Sequence, residues 1–104
     1  TGGITESLKI AALGSSYKLP THPHTCMTGI NMAATIHFLA AIDQGGYFEA
    51  DVSKENLFRD CLVKTPFSIN DDGCVTPSNA PGIGVEVDEN FIKEHPVSDG
   101  PAYA

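Results

Sequence analysis

Two stretches of the chain repeat apolar residues at helical spacing. After Thr5, residues Leu8, Ala11, Ala12 and Ser15 fall on one stripe, with Ile10, Leu13 and Tyr17 beside it. Side chains three and four apart share a helix face, so the spacing predicts a helix over about 5–16 with the Thr5 hydroxyl as its cap. Gly14-Ser15-Ser16 weakens its end. The second stretch, Ile30 to Ile42, is apolar almost all round, the mark of a helix buried on several sides. Thr28 or Thr25 caps it, which predicts a helix over about 27–43. Gly45-Gly46 then supplies the left-handed conformations that end a helix.

Between and after these helices the pattern shortens. Lys18 to His24 predicts a short strand opening into a loop, because Pro20 and Pro23 each remove a backbone donor. Tyr47-Phe48-Glu49-Ala50-Asp51 reads with a period of two, placing Tyr47, Glu49 and Asp51 on one face. Val52 to Val63 is mixed and polar, a loop with a short helix. Pro66-Phe67-Ser68-Ile69 faces Cys74-Val75-Thr76 across Asn70-Asp71-Asp72-Gly73, which predicts a β-hairpin. Val85-Glu86-Val87 is extended, and Asp88 caps a brief helix that stops before His95-Pro96. The remainder, through Ala104, reads as a loosely held tail. Helices alternating with short strands place the chain in the α/β class.

Composition narrows the function classes. The chain has 104 residues, enough for one small domain or a piece of a larger one. Its net charge is −7, and its six Lys and Arg form no basic cluster, which excludes nucleic acid and anionic lipid as natural partners. No apolar run reaches the about 18 residues that cross a membrane. Three cysteines, Cys26, Cys61 and Cys74, make no disulfide framework, so reduced thiols in a cytoplasmic protein are expected. The start lacks the basic and apolar segments of a signal peptide. A chain beginning at Thr1 is expected to be processed, trimmed or part of a longer one.

The chemistry concentrates in Pro20-Thr21-His22-Pro23-His24-Thr25-Cys26. Imidazole exchanges protons near neutral pH, and a strand end between helices is where α/β enzymes place their sites. A histidine here suits general acid/base work. Two other readings use the same residues. His22, His24 and Cys26 could bind zinc, although three ligands on one strand do not complete a tetrahedron. Cys26 could be a nucleophile assisted by His24, although close neighbours in the chain seldom reach that geometry. Glu49 is either a carboxylate aimed into a site from a second strand end or an exposed side chain on a solvated face. His37 lies inside the apolar helix as a packed or interfacial residue. Asp71-Asp72 suits a turn better than a calcium loop, and Gly82-Ile83-Gly84 lacks the third glycine of a dinucleotide fingerprint.

The order of motifs carries a resemblance. Gly2-Gly3-Ile4-Thr5-Glu6, Lys9-Ile10-Ala11-Ala12-Leu13, Pro23-His24, Gly45-Gly46-Tyr47-Phe48-Glu49 and Ala80-Pro81-Gly82-Ile83-Gly84-Val85-Glu86-Val87 follow one another. Together they resemble the C-terminal part of the mandelate racemase-like enzymes of the enolase superfamily, from Thr1 to about Ile92. The resemblance implies the C-terminal portion of a (β/α) barrel: the last two strands and their helices, then an irregular segment with the hairpin. Residues 1–51 would be the terminal βα units, and residues 52–104 the segment that returns to a capping domain. It implies a Mg²⁺-dependent enzyme that abstracts the proton α to a carboxylate, a sugar-acid dehydratase before a 2-hydroxy-acid racemase.

His24 would be the general base, or the acid that assists dehydration. Glu49 would donate a hydrogen bond to the substrate carboxylate or its intermediate, which requires a protonated carboxyl secluded from water. His22 would bind substrate. The family's acidic metal ligands and its second-strand lysines have no counterpart in this chain, and the Asp that orients the base would lie just before Thr1. A full barrel needs about 250 residues. The chain alone is therefore expected to be inactive, and to need a missing N-terminal portion or an oligomeric partner. A rival expectation is a non-catalytic module that self-associates through an exposed 27–43 helix.

Overall fold

The computed structural model describes residues 1–97; the tail expected through Ala104 lies largely outside them. Four helices follow in order: α1 (Gly3–Ser16), α2 (Gly29–Ala41), α3 (Leu57–Asp60) and α4 (Glu89–Glu94). None is long and apolar enough to cross a membrane.

The α2 helix is the centre of the molecule. Its N-cap is Thr28, whose Oγ1 accepts the Asn31 N–H at 3.1 Å. Met32, Ala33, Ile36 and Phe38 are buried along it, Met32 completely. Leu62, Val63 and Phe91 from the second half of the chain and Ala11 from α1 are also buried, and α2 contacts both α1 and α3. The expectation that 27–43 would be exposed is corrected: most of its large side chains are covered within the chain. The α1 helix buries Ala11 alone and leaves Ile10 and Leu13, with Tyr17 at its C-terminal end, mostly in solvent.

Helix ends show where local chemistry acted. Asp88 caps α4, its Oδ1 accepting from Asn90 N at 2.9 Å and Phe91 N at 3.3 Å. Thr5 does not cap α1; that helix starts two residues earlier, after Gly2, with no side-chain cap. Its C-terminus closes by a Schellman arrangement in which Leu19 N–H reaches Gly14 O at 3.0 Å. The left-handed position there is held by Lys18 (φ 56°). Gly45 and Gly46 do not adopt left-handed conformations; α2 ends instead through Ile42 in extended backbone.

The two expected strands do not form ladders. Thr21 and Gly45 make one parallel bridge, with Thr21 N donating to Gln44 O and Gly46 N to Thr21 O, both at 2.9 Å. The next donor on that edge would be residue 23, a proline, so pairing stops after one rung. Residues 47–50 run on with no β-bridge among the described residues. The expected hairpin is present as its turn only: Asn70 N donates to Cys74 O at 2.8 Å, Gly73 takes φ +79°, and among the described residues no ladder extends from it. Pro66 and Pro77, which lack donors, flank the two arms. The second half of the chain is tied down elsewhere, by an antiparallel bridge of Val63 with Val87 and an ion pair of Lys64 with Glu86.

Candidate active site

The Thr21–Gly45 bridge brings two loops side by side, 22–27 and 46–51. Each emerges from an α-helix or leads into one, so their side chains project from a fixed frame. Thr25 anchors the first loop: it is 1% exposed, and its hydroxyl lies 3.4 Å from Met32 Sδ in the core. Its neighbours His24 and Cys26 are thereby left at the surface.

His24 and Glu49 meet. His24 Nδ1 is 2.8 Å from Glu49 Oε2, which also accepts the Thr25 N–H at 3.3 Å. Glu49 therefore faces His24 across the two loops. Its side chain is 50% exposed and that of His24 72%, so these residues do not by themselves provide the seclusion a protonated carboxyl needs. On the other ring edge, His24 Nε2 lies 3.2 Å from Cys26 Sγ. A cavity of about 430 Å³ opens beside His24, walled by Thr1, Ile4 and Ser7 of the first helix region and by Asn31 and Thr35 of α2.

His22 turns elsewhere. Its Nδ1 accepts the Tyr47 N–H at 2.9 Å, and its ring stacks on Tyr47 with centroids 5.7 Å apart. Gly46 makes this possible, since a Cβ there would collide with the imidazole. His22, His24 and Cys26 thus do not converge, which removes the zinc reading's ligand set. Among the described residues no three His, Cys, Asp or Glu side chains gather into a group that could hold a metal ion. These residues do not fit a Mg²⁺ site. His37 Nε2 is buried with no hydrogen-bond partner among the described residues, in the wall of a separate cavity of about 270 Å³.

The sequence reading missed the network behind the site. Asn56 Nδ2 donates to Cys26 O at 3.0 Å, to Met27 O at 3.2 Å and to Asp51 Oδ2 at 3.0 Å. Asn56 Oδ1 meanwhile caps α3 by accepting Arg59 N–H at 3.0 Å. Arg59 Nη1 reaches Asp51 O at 2.7 Å and Ser53 O at 3.0 Å, while its Nε and Nη2 grip the Asp60 carboxylate at 2.6 and 2.7 Å. The side chains of Arg59 and Asp51 are only 12% and 9% exposed, so this pair is held away from solvent. The Ser53 backbone N–H, then the Asn56 carboxamide, then Ser53 Oγ and the Arg59 charge, hold the Asp51 carboxyl down at about 2. The one available signal was that Arg59 is the sole arginine in the chain, set in a polar stretch after Asn56.

Known proteins share this architecture. The family model described as "Enolase C-terminal domain-like" matches residues 1–91. D-mannonate dehydratase CC0532 of Caulobacter vibrioides is 32% identical over 97 residues, covering 91% of this chain and 23% of that protein. A solved member of the enolase superfamily from Polaromonas sp. JS666 is 54% identical with a TM-score of 0.87, covering 99% of this chain and 27% of that one. A solved enolase of the mandelate racemase subgroup from Agrobacterium tumefaciens is 26% identical with a TM-score of 0.75, covering 89% of this chain and 25% of that one. The chain thus spans about a quarter of the length of the relatives it matches. With a family match over most of its residues, and a close fold likeness to its solved relatives, the chain belongs to the enolase C-terminal domain-like family, of which it represents the C-terminal part.

Proposed function

We propose that this chain is the C-terminal part of a longer, Mg²⁺-dependent enzyme that abstracts the proton α to the carboxylate of a sugar acid and dehydrates it. The observation that carries this reading is the 2.8 Å approach of His24 to Glu49 from two different loops. An imidazole and a carboxyl held side by side are what proton abstraction beside a carboxylate requires.

In this reading His24 Nε2 takes the α-proton, or returns one to the departing hydroxyl. Glu49 Oε2 is already engaged by His24 and Thr25, so Oε1 is the oxygen that would meet the substrate carboxylate. His22, stacked on Tyr47, would line the approach as a substrate-binding residue. Bound Mg²⁺ would stabilise negative charge on the substrate carboxylate, and its ligands are other residues of the complete protein. Dehydration is preferred to racemisation because the similar Caulobacter protein is a D-mannonate dehydratase.

The test uses the longest natural polypeptide that carries this chain, supplied with Mg²⁺ and a panel of aldonic acids. Formation of a 2-keto-3-deoxy acid is expected. His24→Asn should lower kcat by about 10²–10⁴-fold, the usual worth of a general acid/base. Wild-type protein that turns over none of the panel and exchanges no α-proton with D₂O would overturn the reading. So would His24→Asn retaining full activity.

A further inference from the structure

Cys26, His24 and Glu49 stand in line. Cys26 Sγ is 3.2 Å from His24 Nε2, and the opposite ring nitrogen, Nδ1, is 2.8 Å from Glu49 Oε2. Glu49 Oε2 also accepts the Thr25 N–H at 3.3 Å. An oxygen used twice as acceptor sets Nδ1 as the donor, so Nε2 turns its lone pair toward the thiol. A nucleophile in reach of a base that a third group orients is the arrangement that activates a thiol. Two residues apart in the chain, His24 and Cys26 manage this because buried Thr25 pins the loop between them.

The chain carries its own references. Cys61 and Cys74 are exposed, as Cys26 is, yet among the described residues only the Cys26 sulfur bonds to an imidazole. Exposure is thus shared by all three thiols, and the base is peculiar to one.

We propose that Cys26 is a covalent modification site for small, neutral carbon electrophiles of the activated-alkene class. His24 Nε2 takes the thiol proton as the sulfur lone pair forms a C–S bond to the β-carbon. The alkene π pair moves to the α-carbon beside its carbonyl, and the imidazolium returns the proton there. Nothing leaves and no oxidant or reductant is consumed. Neutral reagents are favoured because the Glu49 carboxylate lies one ring away and the chain carries a net charge of −7. The thioether then covers His24 Nε2. Neither the dehydration reaction nor a metal enters this step.

The experiment labels the longest natural polypeptide carrying the chain with N-ethylmaleimide and follows each cysteine peptide by mass spectrometry. Cys26 is expected to react at least about tenfold faster than Cys61 or Cys74, a floor well below the about 10²–10⁴-fold that a positioned base supplies. His24→Asn and Glu49→Gln should each shrink that lead while leaving the other two rates in place. The comparison of the three thiols in wild-type protein needs no substitution, so a variant that misfolds does not remove the test. A Cys26 rate no higher than the other two, or a lead that survives both substitutions, overturns the proposal.

Discussion

Asn56 donates its carboxamide to the Asp51 carboxylate at 3.0 Å, and the same nitrogen reaches the carbonyl of Cys26 at 3.0 Å. One half-buried side chain therefore couples the loop carrying His24 to the loop carrying Glu49. It does so while its oxygen caps α3. Three backbone or side-chain acceptors and one helix end depend on it.

Substitution separates these roles. Asn56→Ala loses both the cap and the donors, and should cost about 1–2 kcal/mol in a urea unfolding measurement. Asn56→Ser keeps a capping oxygen but cannot reach three acceptors, so it should cost less than Ala. Asn56→Asp keeps the cap, removes every donor and sets a second carboxylate against Asp51, so it should destabilise at least as much as Ala at neutral pH. Asn56→Asp matching wild type would show that the links to Cys26, Met27 and Asp51 contribute nothing.

The same node predicts an acid response. The Asp51 carboxyl is lowered from 3.8 to about 2 in the folded protein, chiefly by the Ser53 N–H. Its folded value is depressed, so below 3.8 the unfolded chain binds more protons at this site than the native one. The stabilisation is complete above about pH 4 and is lost as pH falls toward 2. Asp51→Asn should flatten the stability-versus-pH curve in that window relative to wild type and leave its slope near neutrality unchanged. Parallel curves from pH 4 to 2 would contradict the assignment.

Legibility in the sequence followed the range of the interaction. The α2 and α4 helices were readable because their signals are local: apolar spacing, and caps at Thr28 and Asp88 within three residues of the donors they satisfy. His24 and Glu49 were nameable from the order of short motifs, but their 2.8 Å contact follows from a bridge formed more than twenty residues apart. The Asp51–Asn56–Arg59 node had no local pattern, since its partners include carbonyls at Cys26 and Met27 that any residue would present equally. Strands were over-read because a period of two records alternation without recording a partner, and Pro23 stops the Thr21–Gly45 pairing after one rung. The stripe on α1 was read correctly as a helix face, yet a stripe does not say what covers it. Here Leu13 and Tyr17 remain 65% and 72% exposed.

Lys18 offers a stabilising change. It occupies the left-handed position after α1 at φ 56°, where a Cβ is unfavourable and glycine is the common residue. Relief of that strain exceeds the extra unfolded-state freedom of glycine. Lys18→Gly should therefore raise stability by about 0.5–1 kcal/mol, read as a higher denaturation midpoint at constant slope. Lys18→Val, β-branched at the same φ, should lower it.

Gly29 marks the tightest approach of the two halves of the chain. A Cβ there would sit 2.6 Å from Val63 Cγ2 and 2.9 Å from Arg59 O. Val63 is 2% exposed and cannot swing aside, and the Arg59 carbonyl is backbone. Gly29→Ala should consequently destabilise by about 1–3 kcal/mol, the usual cost of overpacking, despite alanine's better helix propensity. Val63→Ala removes one of the two obstacles, so the double variant should recover part of the Gly29→Ala loss in a double-mutant cycle while the clash with Arg59 O persists. Gly73 provides the contrast, because at φ +79° nothing lies near its absent Cβ and its cost is backbone strain alone. Gly73→Ala should thus show no coupling to Val63. Additive behaviour of Gly29→Ala with Val63→Ala would mean that α2 starts farther from Val63 than the structure places it, and that Asn56 and Arg59 hold the two loops without help from this contact.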